Sequence, residues 1–309
     1  MLAAVLVALV TSPLIVAAHT TRRDTTSVSA AASGSRTSAW RSAAGTSAMA
    51  AAPMAAARDS SALVAVLQQL VAQSGATAGV AVVELGGSDP LTWSLDGGAV
   101  FAAASTYKLV ALMMEAQNIA AGSTDPNGLV CYQDSDYEAG WFDDYAPGTC
   151  FTRNELASRA AHQSDNTAGH MLVRDLGGSG ALNAWAASVG ASDSAFFDAN
   201  TTTASDLAVL WTAEAKGSLG GASAQAWLYP LLTGTTTEAG VPAGVSGSAV
   251  VHKTGAIDAV ENDAALVAAG PDGAYVLVVM TDGLGGAAGW DLIAGMSAAV
   301  WQIESSRPA

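Results

Sequence analysis

The sequence predicts an α/β fold: an antiparallel sheet flanked by helices, assembled from both ends of the chain, with an all-α insertion between them. Three observations predict it. Helical and then alternating periodicity occupies residues 59–104. The pattern over 105–239 is mainly helical. Strand signals return over 240–305, two of them joined by a Pro271-Asp-Gly273 turn, before a closing helix. Such an order makes an α/β sandwich that meets the helical part along one boundary.

The elements follow in sequence. Ser60 to Gln73 places Leu63, Val66, Leu67, Leu70 and Val71 on one helical face, with Asp59 or Ser60 as cap. Ala78 to Leu85 reads as a strand, Gly86 to Pro90 as a turn and Leu91 to Leu95 as a second strand. A helix starts near Ser105, with Met113 and Met114 in its core face. Thr152-Arg-Asn-Glu155 reads as a capping box opening a helix that leads to Ser164. Another helix starts at Thr202 to Ala208. Ala249 to Lys253, Ala264 to Ala268 and Tyr275 to Thr281 are strand-like. Gly289 to Ser305 closes the chain as a helix with Leu292, Ile293, Met296, Val300 and Ile303 on its apolar face.

The 309 residues carry a net charge of −15, and five of the twelve basic residues lie before residue 60. The body is thus more acidic than the whole, which argues against nucleic acid or an anionic membrane as partner. Residues 1–18 are uncharged and mostly apolar and end Val16-Ala-Ala18, the pattern of a signal peptide. The competing reading is an N-terminal membrane anchor. Residues 19–58, rich in Ala, Ser and Thr, read as a disordered linker. Residues 59–305 are the catalytic body, and a monomer is expected.

Cys131 and Cys150 are the only cysteines. In an exported chain such a pair predicts one disulfide, against the alternative of two free thiols. The four histidines, His19, His162, His170 and His252, form no recognisable metal-ligand spacing, so neither metal nor cofactor is expected.

The chemistry concentrates in three short motifs: Ser105-Thr-Tyr-Lys108, Ser164-Asp-Asn166 and Lys253-Thr-Gly255. The chain has only three lysines, Lys108, Lys216 and Lys253, and two of them sit in these motifs. At a helix start, one turn brings Lys108 beneath the Ser105 hydroxyl. A serine at its ordinary pKa is a poor nucleophile and needs an adjacent proton acceptor. A lysine serves if burial and a nearby cation such as Lys253 lower its pKa. Ser164 would carry a proton towards a leaving nitrogen and Asn166 would fix a substrate amide. Lys253 and Thr254 offer a cation and a hydroxyl to a substrate carboxylate, and Gly255 lets substrate approach a strand edge.

These motifs, in this order, resemble those of the penicillin-recognising serine hydrolases, and most closely a class A β-lactamase-type domain. Phe101 to Leu109 is similar to the nucleophile helix. Ser164 to Ala168 with Leu172 is similar to the second motif and its helix. His252 to Gly255, followed by Asn262-Asp263 on the next strand, is similar to the third. The resemblance covers roughly residues 60–305. It implies a β-lactamase/transpeptidase-like fold, an acyl-enzyme at Ser105, and an oxyanion hole from the backbone N–H groups of Ser105 and Ala256. The substrate it implies is a β-lactam or a cell-wall D-Ala-D-Ala peptide. A module that is acylated and stays acylated, as a β-lactam sensor, is the non-catalytic alternative.

Two departures from the family qualify this. The stretch Gly190 to Asn200 stands where the family has a longer loop with a water-activating Glu. Here it is short and offers only Asp193 and Asp198. No Arg or Lys follows Lys253 until Arg307, so carboxylate recognition falls to Lys253, Thr254 and Ser164. Deacylation is therefore expected to be slow. Trp141, Tyr145 and Trp185 are expected to pack rather than to bind, His252 to pair locally on its strand, and Glu138, Asp143 and Asp144 to form a solvated acidic loop.

Overall fold

The computed structural model describes residues 61–87 and 90–306. The leader, the linker and the expected helix cap at Asp59 or Ser60 lie outside these residues. In chain order the elements are α1 (Ser61–Ser74), β1 (Thr77–Glu84), β2 (Thr92–Leu95) and β3 (Val100–Ala102), then a 3₁₀ turn (Ala104–Thr106) running into α2 (Tyr107–Ala120). Next come β4 (Leu129–Cys131), β5 (Cys150–Thr152), α3 (Arg153–His162), α4 (Asn166–Asp175), α5 (Gly178–Val189), β6 (Thr201–Thr203), α6 (Ala204–Ala215) and α7 (Gly221–Leu231). The single-turn α8 (Val241–Gly244), β7 (Val250–Ile257), β8 (Val260–Gly270), β9 (Gly273–Asp282) and α9 (Ala287–Ser306) complete the chain. None of the described helices is long and apolar enough to cross a membrane.

The main sheet has the order β2-β1-β9-β8-β7, with every neighbouring pair antiparallel. Successive strand residues face opposite sides, and here both sides are buried. Val80, Val82, Leu277 and Val279 pack with Leu63, Leu67, Leu292, Met296 and Val300 from α1 and α9. Ala81, Val276, Val278 and Met280 face the helical part instead. Period-2 apolar runs on β1 and β9 therefore serve two cores. In the helical part α2 is buried nearly all round, Leu109 through Met113 and Ala116 being sealed from solvent, as expected of a central helix. Strand β7, with Lys253-Thr-Gly255, forms one edge of the sheet.

Several boundaries differ from the sequence reading, each for a local reason. β7 and β8 are longer than their apolar runs because buried polar residues continue them. Asn262 donates to the carbonyls of Ala102 and Ala103, Glu261 accepts from Gly286 N, and Asp263 accepts from Val241 N. The pairs β3–β6 and β4–β5 are three residues long on each strand, too short to show a period. The capping box at Thr152 is half formed. Thr152 accepts from Glu155 N, but the Glu155 carboxylate turns to Arg159. Ser105 lies in the 3₁₀ turn that enters α2 rather than in the α-helix itself.

Two cross-links shape the region around the motifs. Cys131 and Cys150, partners on β4 and β5, form a disulfide. It closes the 131–150 segment, where Glu138, Asp143 and Asp144 are exposed as expected of a solvated acidic loop, while Asp136 is buried and several side chains anchor the segment to the helices. Arg174 binds Asp136 through two N–H groups and the carbonyl of Cys131. Arg159 binds Asp144 bidentately and lies over the rings of Phe142 and Phe151. Tyr145 packs beside Phe151 and hydrogen-bonds Asp165. The second cross-link is His252, fully buried, with Nδ1 at 2.9 Å from Asp263 on β8 and Nε2 at 3.1 Å from Glu238. It anchors residues 235–238 beside β7.

The disulfide predicts that the denatured, unreduced protein has no titratable thiol. Reducing it should cost about 3 kcal/mol for a loop of this length. Two reactive thiols per chain would contradict the bridge.

The His252 site predicts a pH dependence. Burial disfavours the imidazolium, but Asp263 and Glu238 outweigh it and raise the His252 pKa from its ordinary value to about 9. Because the folded pKa is raised, the stabilisation is complete below the unfolded pKa and is lost as pH rises through about 9. The buried lysines contribute with the opposite sign, so the informative quantity is the difference between wild type and His252→Gln. The melting-temperature gap between the two should shrink from pH 6 to pH 10. A gap constant across this range would refute the charged cross-link.

Candidate active site

The turn carrying Ser105 is held from two sides. Asn262 on β8 binds the carbonyls of Ala102 and Ala103. Asn200 donates through Nδ2 to the carbonyl of Ala104 and accepts from Ala103 N at its own carbonyl. Ala104 adopts φ 48°, a left-handed conformation that a non-glycine residue keeps only when its surroundings enforce it. Gly255 on β7 packs against this turn. A Cβ there would stand 2.7 Å from the Ala103 carbonyl and 3.0 Å from Ser105 N, so a side chain would push the strand off the turn.

The three motifs meet here. Lys108 Nζ lies 2.9 Å from Ser105 Oγ, 2.7 Å from the Ser164 carbonyl, 2.7 Å from Asn166 Oδ1 and 3.4 Å from Ser164 Oγ. Lys253 Nζ lies 2.9 Å from the same Ser164 Oγ and 2.9 Å from the Thr254 carbonyl. Ser164 also has a left-handed backbone, φ 59°, and offers both its oxygens to Lys108. Asp165, buried, caps α4 by accepting from Ala168 N and also accepts from Tyr145 Oη and Trp141 N. Gly169 lets α4 lie against the lysine: a Cβ there would meet Lys108 Cε at 2.8 Å.

Both lysines are buried, and burial is the first cause of their pKa shifts. It lowers Lys108 to about 8, against the opposing pull of Asp165 and Glu138. Lys253 is pushed well below the ordinary lysine range, by burial and then by the Lys108 charge, with Asp263 opposing. A neutral Lys108 has two N–H groups, which the carbonyl of Ser164 and Oδ1 of Asn166 can accept. Its lone pair is then available to the Ser105 hydroxyl. The Ser164 hydroxyl, between the two amines, can pass a proton from one side of the site to the other.

Ser105 and Ala256 sit where two clefts join. The smaller, about 180 Å³, is lined by Ser164, Lys253, Thr254, Thr235, Thr236, Thr237 and Trp141. The larger, about 500 Å³, is lined by Glu138, Asn166, His170, Phe197 and Asn200 among others. The structure thus gathers Ser105, Lys108, Ser164, Asn166, Lys253, Thr254, Gly255 and Ala256 into one locality. Asp198 lines the larger cleft and accepts from Ser179 Oγ at 2.5 Å, whereas Asp193 is exposed and lines neither. Trp141, expected to pack, is exposed at the mouth of the smaller cleft, while Trp185 binds Gln117 and packs on the core.

Sequence reasoning did not single out Thr235 to Thr237, Asn200 or His170, and it set Glu138 aside. The Thr235-Thr-Thr237 run was visible as a hydroxyl cluster, but nothing in the sequence placed it beside Lys253. Glu138 accepts from Asn166 Nδ2 at 2.9 Å and pairs with His170 Nε2 at 2.9 Å. That proximity depends on the docking of the 131–150 segment.

Comparison with known proteins bears on the fold and the family. Solved structures of the same fold include PBP-A, 26% identical, with a TM-score of 0.71 over 77% of this chain and 95% of that one. A mutant of PBP-A in an acyl-enzyme complex with penicillin G is also 26% identical, with a TM-score of 0.73 over 79% of this chain and 96% of that one. A β-lactamase from Sphaerobacter thermophilus, 24% identical, aligns with a TM-score of 0.71 over 81% of this chain and 98% of that one. No curated protein sequence matches. The model of the beta-lactamase enzyme family matches residues 62–303, a span that contains all three motifs and both clefts, and the chain belongs to that family.

Proposed function

We propose that this chain is an exported, monomeric serine hydrolase of the class A kind, which opens β-lactam amides through an acyl-enzyme and releases the product slowly. The observation that carries this is the contact of Lys108 Nζ with Ser105 Oγ at 2.9 Å, linked through Ser164 Oγ to Lys253. Lys108 takes the Ser105 proton as Oγ attacks the lactam carbonyl. The developing oxyanion is received by the backbone N–H groups of Ser105 and Ala256. Ser164 delivers the proton to the leaving nitrogen, and Asn166 fixes the amide of the acyl side chain. The substrate carboxylate lies in the smaller cleft against Lys253 and Thr254, with the hydroxyls of Thr235 to Thr237 compensating for the missing arginine. Gly255 keeps the strand edge open to the substrate backbone.

The penicillin acyl-enzyme of the PBP-A mutant supports acylation by β-lactams in this fold. Export is supported by the apolar 1–18 segment and the bridged cysteines. The second reading is a D-Ala-D-Ala peptidase that β-lactams inhibit. It is favoured by the 190–200 stretch, where Asp193 is turned to solvent and Asp198 is engaged by Ser179.

Intact-mass spectrometry after mixing with benzylpenicillin should show one covalent adduct, and Ser105→Ala should show none. Equal labelling of both proteins would sink the nucleophile assignment. Lys108→Ala should slow acylation by about 10²–10⁴-fold, the usual worth of a positioned base.

Stopped-flow with a chromogenic cephalosporin should give a burst near one product per enzyme followed by a slow steady rate, because the acylating set is complete whereas the 190–200 stretch has no glutamate. A linear trace with fast turnover would contradict slow release.

A further inference from the structure

Cleaving an acyl-enzyme needs a second proton acceptor, placed to act on water rather than on Ser105. Resting on the acyl-enzyme reading above, the geometry points to His170, oriented by Glu138, as the group that takes the proton from the deacylating water. The larger cleft shares Ser105 and Ala256 with the smaller one, so an ester at Ser105 is open to it without displacing the substrate carboxylate from Lys253 and Thr254.

Four titratable side chains line that cleft: Tyr107, Glu138, His170 and Asp198. Burial, with the charges of Glu138 and Asp165, raises the Tyr107 pKa, so the phenol keeps its proton. Asp198 is turned to the Ser179 hydroxyl. Both oxygens of Glu138 are engaged, one by Asn166 Nδ2 and the other by His170 Nε2, each at 2.9 Å. The neutral tautomer with its proton on Nε2, beside the carboxylate, leaves Nδ1 as an acceptor. Nδ1 has no protein partner among the described residues.

The ring is held in place. His170 follows Asn166 by four residues on α4, so both side chains rise from one helical face. It meets Phe197 edge-on at 5.0 Å, and Phe197 in turn meets Tyr107 at 5.4 Å. Across the same cleft, Asn200 has a buried Oδ1 without a protein partner. A water between the two would give one hydrogen to His170 Nδ1 and the other to Asn200 Oδ1, with its oxygen towards the ester.

In the step itself the water oxygen bonds to the acyl carbon as one of its protons passes to Nδ1. The resulting imidazolium lies beside the Glu138 carboxylate. The tetrahedral adduct then collapses, the C–Oγ bond breaks and Ser105 Oγ takes up a proton through Lys108. The histidine proton makes up the balance, and the product leaves as an acid that ionises. Glu138 touches no reacting atom in this scheme and acts as a positioning residue.

The test follows the benzylpenicillin adduct by intact mass, measuring its formation and its decay separately. His170→Ala should form the adduct at the wild-type rate and lose it about 10²-fold more slowly, the lower range for a positioned base. Added imidazole should restore part of the decay in His170→Ala. His170→Asn, closer in shape, should show the slow decay without rescue, and Glu138→Gln an intermediate one. Formation at the wild-type rate also reports an intact cleft in the His170 variants. Unchanged decay in His170→Ala, equal slowing of formation and decay, or slow decay in Asp198→Asn alone would overturn the assignment. So would a wild-type adduct that never decays, which would leave the acyl-enzyme reading standing. No adduct on wild type would overturn both.

Discussion

Two lysines buried within reach of one serine hydroxyl are the constraint on which the rest of the site depends. An ammonium taken out of water is costly, and two sharing one pocket repel each other. The fold answers by giving each amine fixed acceptors: the Ser164 carbonyl and Asn166 Oδ1 for Lys108, the Thr254 carbonyl for Lys253, and the Ser164 hydroxyl for both. The same burial that would otherwise destabilise the protein lowers the lysine pKa values into the range where an amine can accept a proton. Stability and reactivity are here one electrostatic arrangement.

That arrangement explains the local backbone. Ser164 must present its carbonyl and its hydroxyl to the same amine, and it does so in a left-handed conformation. Ala104 turns the chain so that Ser105 faces Lys108, also left-handed, and is held by Asn200 while Asn262 holds the residues before it. Each such residue costs on the order of 1–3 kcal/mol and persists only where surrounding bonds over-determine it. Gly169 and Gly255 remove the side chains that would keep α4 from Lys108 and β7 from the Ser105 turn. The edge position of β7 leaves one side of Lys253-Thr-Gly255 unpaired, as substrate approach along a strand requires.

The 131–150 segment builds the opposite wall. Its ends are tied by the disulfide and its middle by Arg159, Arg174 and Asp165. Asp136 is buried by these ties, and Glu138, still exposed, reaches Asn166 and His170. The cleft is consequently asymmetric. One side is cationic and rich in hydroxyls, suited to a carboxylate, and the other carries a carboxylate–imidazole pair beside an aromatic ring.

The sequence by itself determined the fold class and which residues meet at the candidate site. Periodicity exposes helices and strands because the two cores read alternate faces of β1 and β9. Ser105, Lys108, Ser164, Asn166 and Lys253 were legible because two of only three lysines stand at fixed offsets from hydroxyl and amide residues. Tertiary structure decided what short-range pattern does not encode. His252 needs Asp263 from the next strand and Glu238 from a preceding turn to become a buried cross-link. Asn262 interrupts an apolar run, and its reason is a turn 160 positions away in the chain. Glu138 and His170 are 32 positions apart and belong to different elements, so neither periodicity nor spacing links them. Only the docking of the bridged segment on α4 brings them together, because a contact between side chains is specified by position in space and leaves no period in the sequence.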